Sequence, residues 1–401
     1  MAIPPLDGAA GVRGNRWFDE ALLDDAPGLA ARDPGGMLRA IASAGAQVRE
    51  ATSLTAEVDL SHLADEGRPR AVVVVGAGTA ARTGDILTTI AGPRCLVPVL
   101  THRSLEVPAW IGAADVVIAV SASGRSPEAL AVAEAAGRRG ARLVAIGAPG
   151  SPLQSVAERN RAPFIPVPRR GAARANLWGL TVPVLLTARA LGLVKVNEAD
   201  LAETATRLDL EADRCRPTAE TFVNRAKTIA LNLAGSVPII WGDSPLAAVA
   251  AVRYGDMLSA NARYPVVTDA LGEAGRGRVG LLDGVFGALA ALEKDIFADP
   301  EFDTPSADPP RLKVVLLCDG GLADENSAAQ TTDRRAEVVQ DIAARRGIEV
   351  DVLTAEGGSA LERFASLVAA TDFASVYLGL GHGLDPMAVP AVTELKEQLR
   401  K

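Results

Sequence analysis

Cysteine, histidine, surplus positive charge and long apolar runs are scarce in this chain, and each shortage excludes something. Three cysteines occur in 401 residues, Cys95, Cys215 and Cys318. They are too far apart for a metal cluster or a CxxC redox pair, so reduced, mostly structural thiols are expected. The three histidines, His62, His102 and His382, join no spaced set of carboxylates that would form a metal site, and no metal is expected. Net charge is −8, which argues against a polyanion-binding surface, so nucleic acid is not an expected partner. Residues 1–25 carry acidic side chains and no apolar signal core, and no run of about 18 apolar residues stands out. The expectation is a cytoplasmic protein with no membrane partner. At roughly 100–200 residues per domain, the length predicts two domains.

Two apolar runs that end in small or hydroxylated residues carry most of the information. Val72-Val73-Val74-Val75 leads into Gly76-Ala77-Gly78-Thr79-Ala80-Ala81, and Val116-Val117-Ile118-Ala119-Val120 leads into Ser121-Ala122-Ser123-Gly124-Arg125-Ser126-Pro127-Glu128. A β-branched run suits a buried parallel strand, and a helical pattern follows each loop. At a strand-to-helix junction the first backbone N–H groups of the helix lack partners and its dipole favours negative charge. With the hydroxyls of Ser121, Ser123 and Ser126 beside them, these groups imply an anion site for a phosphorylated small molecule.

Around the two loops the pattern alternates strand and helix, which predicts an α/β fold with parallel sheets flanked by helices. Strands are expected at 71–75, 95–100, 115–120, 142–146 and 163–167, with helices at 83–90 and 126–138. An irregular arm precedes a helix carrying Met37, Leu38, Ile41 and Val48. Residues 197–233, with Pro217 as their one proline, read as a long helical connector. A second α/β unit follows, with strands at 237–242, 264–267, 313–317 and 349–353 and helices at 245–258, 325–346 and 387–400. An acidic, proline-rich surface loop is expected at 297–311. The expected division is 1–65 as arm and helix, 66–210 as the first domain and 211–401 as the second.

The order of these segments resembles a two-domain SIS (sugar isomerase) protein, and within that family the bifunctional phosphoglucose/phosphomannose isomerases. Gly76-Ala77-Gly78-Thr79-Ala80-Ala81-Arg82-Thr83-Gly84-Asp85 is similar to the family's G-x-G-G-S-x-x-G-G-D; its serine falls on Ala80, leaving Thr79 to donate. Ser121-Ala122-Ser123-Gly124-Arg125-Ser126-Pro127-Glu128-Ala129 is similar to its phosphate loop, S-x-S-G-N-T-x-E-T. The resemblance implies Gly78, Thr79, Ser121, Ser123 and Ser126 as ligand contacts and Arg174 as a catalytic cation. Lys396 matches a near-terminal lysine that follows Asp385-Pro386-Met387-Ala388-Val389. It also implies two SIS-type three-layer domains, a hexose phosphate ligand, aldose–ketose isomerisation without a cofactor or metal, and a homodimer. A glutamine-hydrolysing domain with a leading cysteine, found in some SIS proteins, is not expected.

Isomerisation needs a base to move a proton between C1 and C2, a cation for the enediolate, and an acid/base group to open the ring. The family's proton-transferring glutamate aligns with Ala260 and its ring-opening histidine with Arg276. Glu273 and His382 are the candidate replacements, and a non-catalytic sugar-phosphate sensor is the alternative reading. A dinucleotide site is a further one, since Gly76-x-Gly78-x-x-Ala81 has the form of the fingerprint. The second strand, however, ends Pro98-Val99-Leu100-Thr101-His102-Arg103 without the acid such a site wants, although Arg103 suits a 2′-phosphate.

Overall fold

A computed structural model of the chain describes residues 18–291, 310–320 and 327–398. The expected arm before residue 18, the acidic loop over 297–309, the start of the 325–346 helix and the end of the 387–400 helix lie outside the described residues.

Four helices come first: α1 (Ala26–Arg32), α2 (Met37–Ala42), α3 (Ala44–Ala56) and α4 (His62–Asp65). Then follow β1 (Val72–Val75), α5 (Thr79–Ala91), β2 (Val99–His102), β3 (Val116–Ser121), α6 (Pro127–Arg138), β4 (Arg142–Gly147), α7 (Pro152–Arg159) and β5 (Phe164–Pro166). All five strands are parallel, in the order β2-β1-β3-β4-β5, with Val73 opposite Val117 and Ser121 opposite Gly147. In the central strands β1 and β3, apolar up to the closing Ser121, the side-chain period of two feeds both faces of the sheet. Val72, Val74, Ile118 and Val120 enter one core, while Val73, Val75, Val117 and Ala119 enter another against α6 and α7.

Helices α8 (Leu177–Ala190), α9 (Glu198–Arg214) and α10 (Arg225–Leu233) lead to β6 (Val237–Gly242), α11 (Pro245–Met257) and β7 (Val267–Ala270). The remainder is α12 (Leu271–Ala274), β8 (Leu312–Cys318), α13 (Ser327–Ala344), β9 (Val350–Thr354), α14 (Ala360–Gly381) and α15 (Pro390–Gln398). The second sheet is also parallel, ordered β7-β6-β8-β9. The α/β class with two helix-flanked parallel sheets is therefore as expected.

Several expectations need correction. The connector over 197–233 is two helices, because Asn224 caps α10 afresh by accepting from Ala226 and Lys227 N–H after a break that contains Pro217. The strand expected at 264–267 begins at Val267; Pro265 has no N–H to give a ladder, and Tyr264 N–H turns back to Leu258 O. α5 starts at Thr79 rather than 83, with Gly78 as its cap at φ +56°, so the first glycine loop is only three residues long. The largest miss is α14. By length and composition this 22-residue helix could span a membrane, although Glu362, Arg363 and Asp372 interrupt it, so no unbroken apolar run of 18 residues occurs in it. Here it is instead enclosed by α9, α10 and α11, and its Phe364 meets Trp178 of α8 edge-on at 6.1 Å. The inner faces of both sheets thereby share one core.

Candidate active site

At the carboxyl ends of β1 and β3 the strand order reverses, since β2 lies to one side of β1 and β3 to the other. Ligands of open α/β sheets bind at such a switch point. The loop after β1, residues 76–78, and the loop after β3, residues 121–126, flank it. Ser121, itself buried, accepts from Ser126 N–H at 3.2 Å, and Ser123 Oγ accepts from Arg125 N–H at 3.3 Å. Both hydroxyls therefore keep their own protons for an incoming acceptor. Ser126 donates instead to Glu128 at 2.7 Å, and its role as a ligand donor requires that bond to rotate away. The loop wraps over the start of α6, whose first-turn N–H groups open toward the same crevice.

Gly124 makes this wrap possible. Its φ is +65°, and a Cβ there would run into Ser151 Oγ, the N-cap of α7. Gly124→Ala is expected to cost about 1–2 kcal/mol for the left-handed backbone alone, lowering the melting temperature and weakening any anion held by the loop. Calorimetry of the variant with and without hexose phosphate reads both effects.

Arg174, Arg253 and Arg263 form a cluster around Asn261 and the turn after β5. After β5 the chain crosses the same edge of the sheet and places Arg174 in a short 3-10 turn, Ala173–Ala175. Its Nε donates to Asn261 Oδ1 at 2.8 Å, and its Nη2 donates to Pro386 O. Asn261 lies in a π-helical turn, Leu258–Ala262, which continues α11; such turns are frequent at functional sites. Arg253 holds Arg174 from behind by donating to its carbonyl at 2.6 Å, and Arg263, at φ +57°, donates to Asn261 O, Asp385 O and Ala388 O. Burial first, and the cations Arg263 and Arg253 next, push the Arg174 guanidinium below its usual value, against the pull of Asp385. A partly buried cation that other cations crowd is suited to an anion or a developing enediolate.

The remaining candidates fall elsewhere. Glu273 is exposed on α12, past the carboxyl end of β7, whereas Asn261 precedes that strand; about 10 Å of strand separates the two ends. His382 caps α14, with Nε2 2.6 Å from Tyr264 Oη and its ring edge-on to Phe18. It thus reaches the end of the second unit where Asn261 lies, but its ring is tied into packing. Lys396 is on α15, none of whose residues is buried. Ala260 sits in the π-turn itself, and Arg276 is exposed at the far end with Glu273. Arg103 is ion-paired with Asp85, so the cation that would favour a 2′-phosphate is engaged.

Other residues here went unread from sequence. His102 ends β2 beside residue 76, and its buried Nε2 has no hydrogen-bond partner among the described residues. The Arg82–Asp256 ion pair, 2.7 Å, ties the first turn of α5 to the last turn of α11. Together with Arg174–Asn261 it sets the carboxyl edge of the first sheet against the π-turn end of the second unit. The switch point of the second sheet, between β6 and β8, holds Asp243, Asp319 and Arg363 together with the single hydroxyl of Ser244, which accepts from Ala247 N–H, among the described residues.

Comparison with known proteins agrees with this layout. Residues 222–399 match the family model of the bacterial phospho-glucose isomerase C-terminal SIS domain. A bifunctional phosphoglucose/phosphomannose isomerase from Caldicellulosiruptor bescii is 26% identical over 82% of this chain and 89% of its own length. One from Aquifex aeolicus is 24% identical over 76% and 82%. The fold superposes on the crystal structure of tagatose-6-phosphate ketose/aldose isomerase from Escherichia coli with a TM-score of 0.63, at 13% identity, covering 88% of this chain and 94% of that one.

Proposed function

We infer, for a chain whose residues 222–399 carry a bacterial phospho-glucose isomerase C-terminal SIS domain, that the protein is a phosphosugar isomerase interconverting aldose and ketose phosphates of the glucose 6-phosphate and mannose 6-phosphate type. The observation that carries this reading is the hydroxyl loop over 121–126 at the switch point of the first sheet, with Arg174 in the turn that follows β5 of the same sheet. The loop supplies N–H and O–H donors for a phosphate dianion, and Arg174 supplies the cation an enediolate needs. The named activities of the relatives support it. The division at about residues 65 and 210 into an arm and two SIS domains, a homodimer and a cytoplasmic setting complete the proposal. The homodimer is supported by α15, which leaves Val392 and Leu395 open to solvent.

Purified protein incubated with fructose 6-phosphate should form glucose 6-phosphate and mannose 6-phosphate, and each sugar phosphate should raise its melting temperature. Ser123→Ala is expected to reduce the ligand-induced stabilisation by on the order of 1 kcal/mol, the value of one lost hydrogen bond to a charged group. An undiminished shift would remove the loop from the site. Ala260 and Arg276, where the family has its base and its ring-opening histidine, favour a second reading, a sugar-phosphate sensor. Stabilisation by the ligands without any turnover would select it.

A further inference from the structure

Position 260 offers a methyl group where proton transfer needs a carboxylate, yet a carboxylate stands one turn away. Asp256 lies four residues earlier, at the end of α11, and residues four apart share a helix face. Its side chain crosses the seam between the two units: Arg82 Nε is 2.7 Å from Oδ2, and Arg82 Nη2 is 3.4 Å from Oδ1. A fork of this kind fixes the plane of a carboxylate. Arg82 is itself held by Asp85 at 2.9 Å and lies in the first turn of α5, directly after Gly78 and Thr79. Asp256 is thereby brought to the carboxyl end of β1, the strand next to the hydroxyl loop. Its side chain is 44% exposed, so a ligand can reach it. Glu273, beyond the opposite end of β7, has no such approach.

We propose that Asp256 is the base that carries the proton between C2 and C1 of the sugar phosphate, with Arg82 as the residue that positions it; the assignment rests on the isomerase reading. From the aldose, the carboxylate takes the C2 proton. The C2–H electron pair becomes the C1–C2 double bond, and the carbonyl pair moves onto O1. The O2 proton then passes to O1 as the C2 carbonyl forms, and Asp256 returns its proton to C1. C2 is oxidised and C1 reduced within one molecule, so no external reductant or oxidant enters.

Steady-state kinetics with fructose 6-phosphate on wild type, Asp256→Asn, Asp256→Glu and Glu273→Gln test this, with the melting shift by the same sugar phosphate as the control for folding and binding. Asp256→Asn should lose about 100-fold or more in kcat while KM and the melting shift stay near wild type; Asp256→Glu should recover part of the rate, and Glu273→Gln should keep it. Wild-type kcat in Asp256→Asn, or a collapse in Glu273→Gln, would overturn the assignment and leave the isomerase reading standing. Loss of the melting shift in Asp256→Asn would make the residue a binding group and overturn it as well. A wild-type protein that binds without turnover would overturn both.

Discussion

Asp372→Ala should lower the unfolding free energy by about 3–5 kcal/mol, the usual cost of removing one member of a buried ion pair. Asp372 on α14 accepts from Arg253 Nε at 3.1 Å and Nη2 at 2.7 Å, with side-chain exposures of 10% and 3%. Burial pushes the Asp372 carboxyl above its ordinary value, and Arg253 pulls it back. Without the carboxylate, the Arg253 guanidinium is left in an apolar core with only the Arg174 carbonyl as a partner. The double change Arg253→Met with Asp372→Leu should restore most of the loss, since it removes both charges and keeps the volume. Urea denaturation of the three variants reads the differences. A loss under about 1 kcal/mol for the single variant would mean that water reaches the pair.

Arg174→Ala should reduce kcat/KM for fructose 6-phosphate by about 100-fold or more, in the range found when one preorganised donor is taken from a developing oxyanion. The fold should survive, because the side chain is only partly buried, bonds to Asn261 and Pro386 and does not fill the core. Arg174→Lys should rescue little, since a point charge cannot reach both Asn261 Oδ1 and the Pro386 carbonyl. Steady-state assays beside melting curves distinguish a damaged site from a damaged fold. Unchanged kcat/KM in the alanine variant would dismiss Arg174 from the chemistry.

The central strands β1 and β3 were legible because their residues are apolar and β-branched or small up to the closing Ser121, whereas β2, Val99-Leu100-Thr101-His102 at the sheet edge, was expected at 95–100 and lies at 99–102. The place of the hydroxyl loop was legible for a related reason: three hydroxyls directly after an apolar run fall at the carboxyl edge of a parallel sheet. Helix α14 was missed because it is apolar nearly all round, which erases the 3.6-residue period that marks an amphipathic helix. The π-turn was also hidden, since no residue in Leu258-Ser259-Ala260-Asn261-Ala262 demands the wider turn. With it went the meeting of Asn261 and Arg174, 87 positions apart in the chain. Asp256 looked like one more acid on a helix; only the Arg82 contact, 174 positions away, gives it a direction.

Helix α14 is drawn from the last fifth of the chain, yet it forms the floor on which α8, from the first sheet's unit, comes to rest. Synthesis must therefore run almost to its end before Trp178 of α8 gains its partner Phe364, although α3 and α5 already lie against α8, and α5 and α8 against the first sheet. What the nascent chain leaves open in that interval is the side of α8 that carries Trp178, not the sheet beneath it.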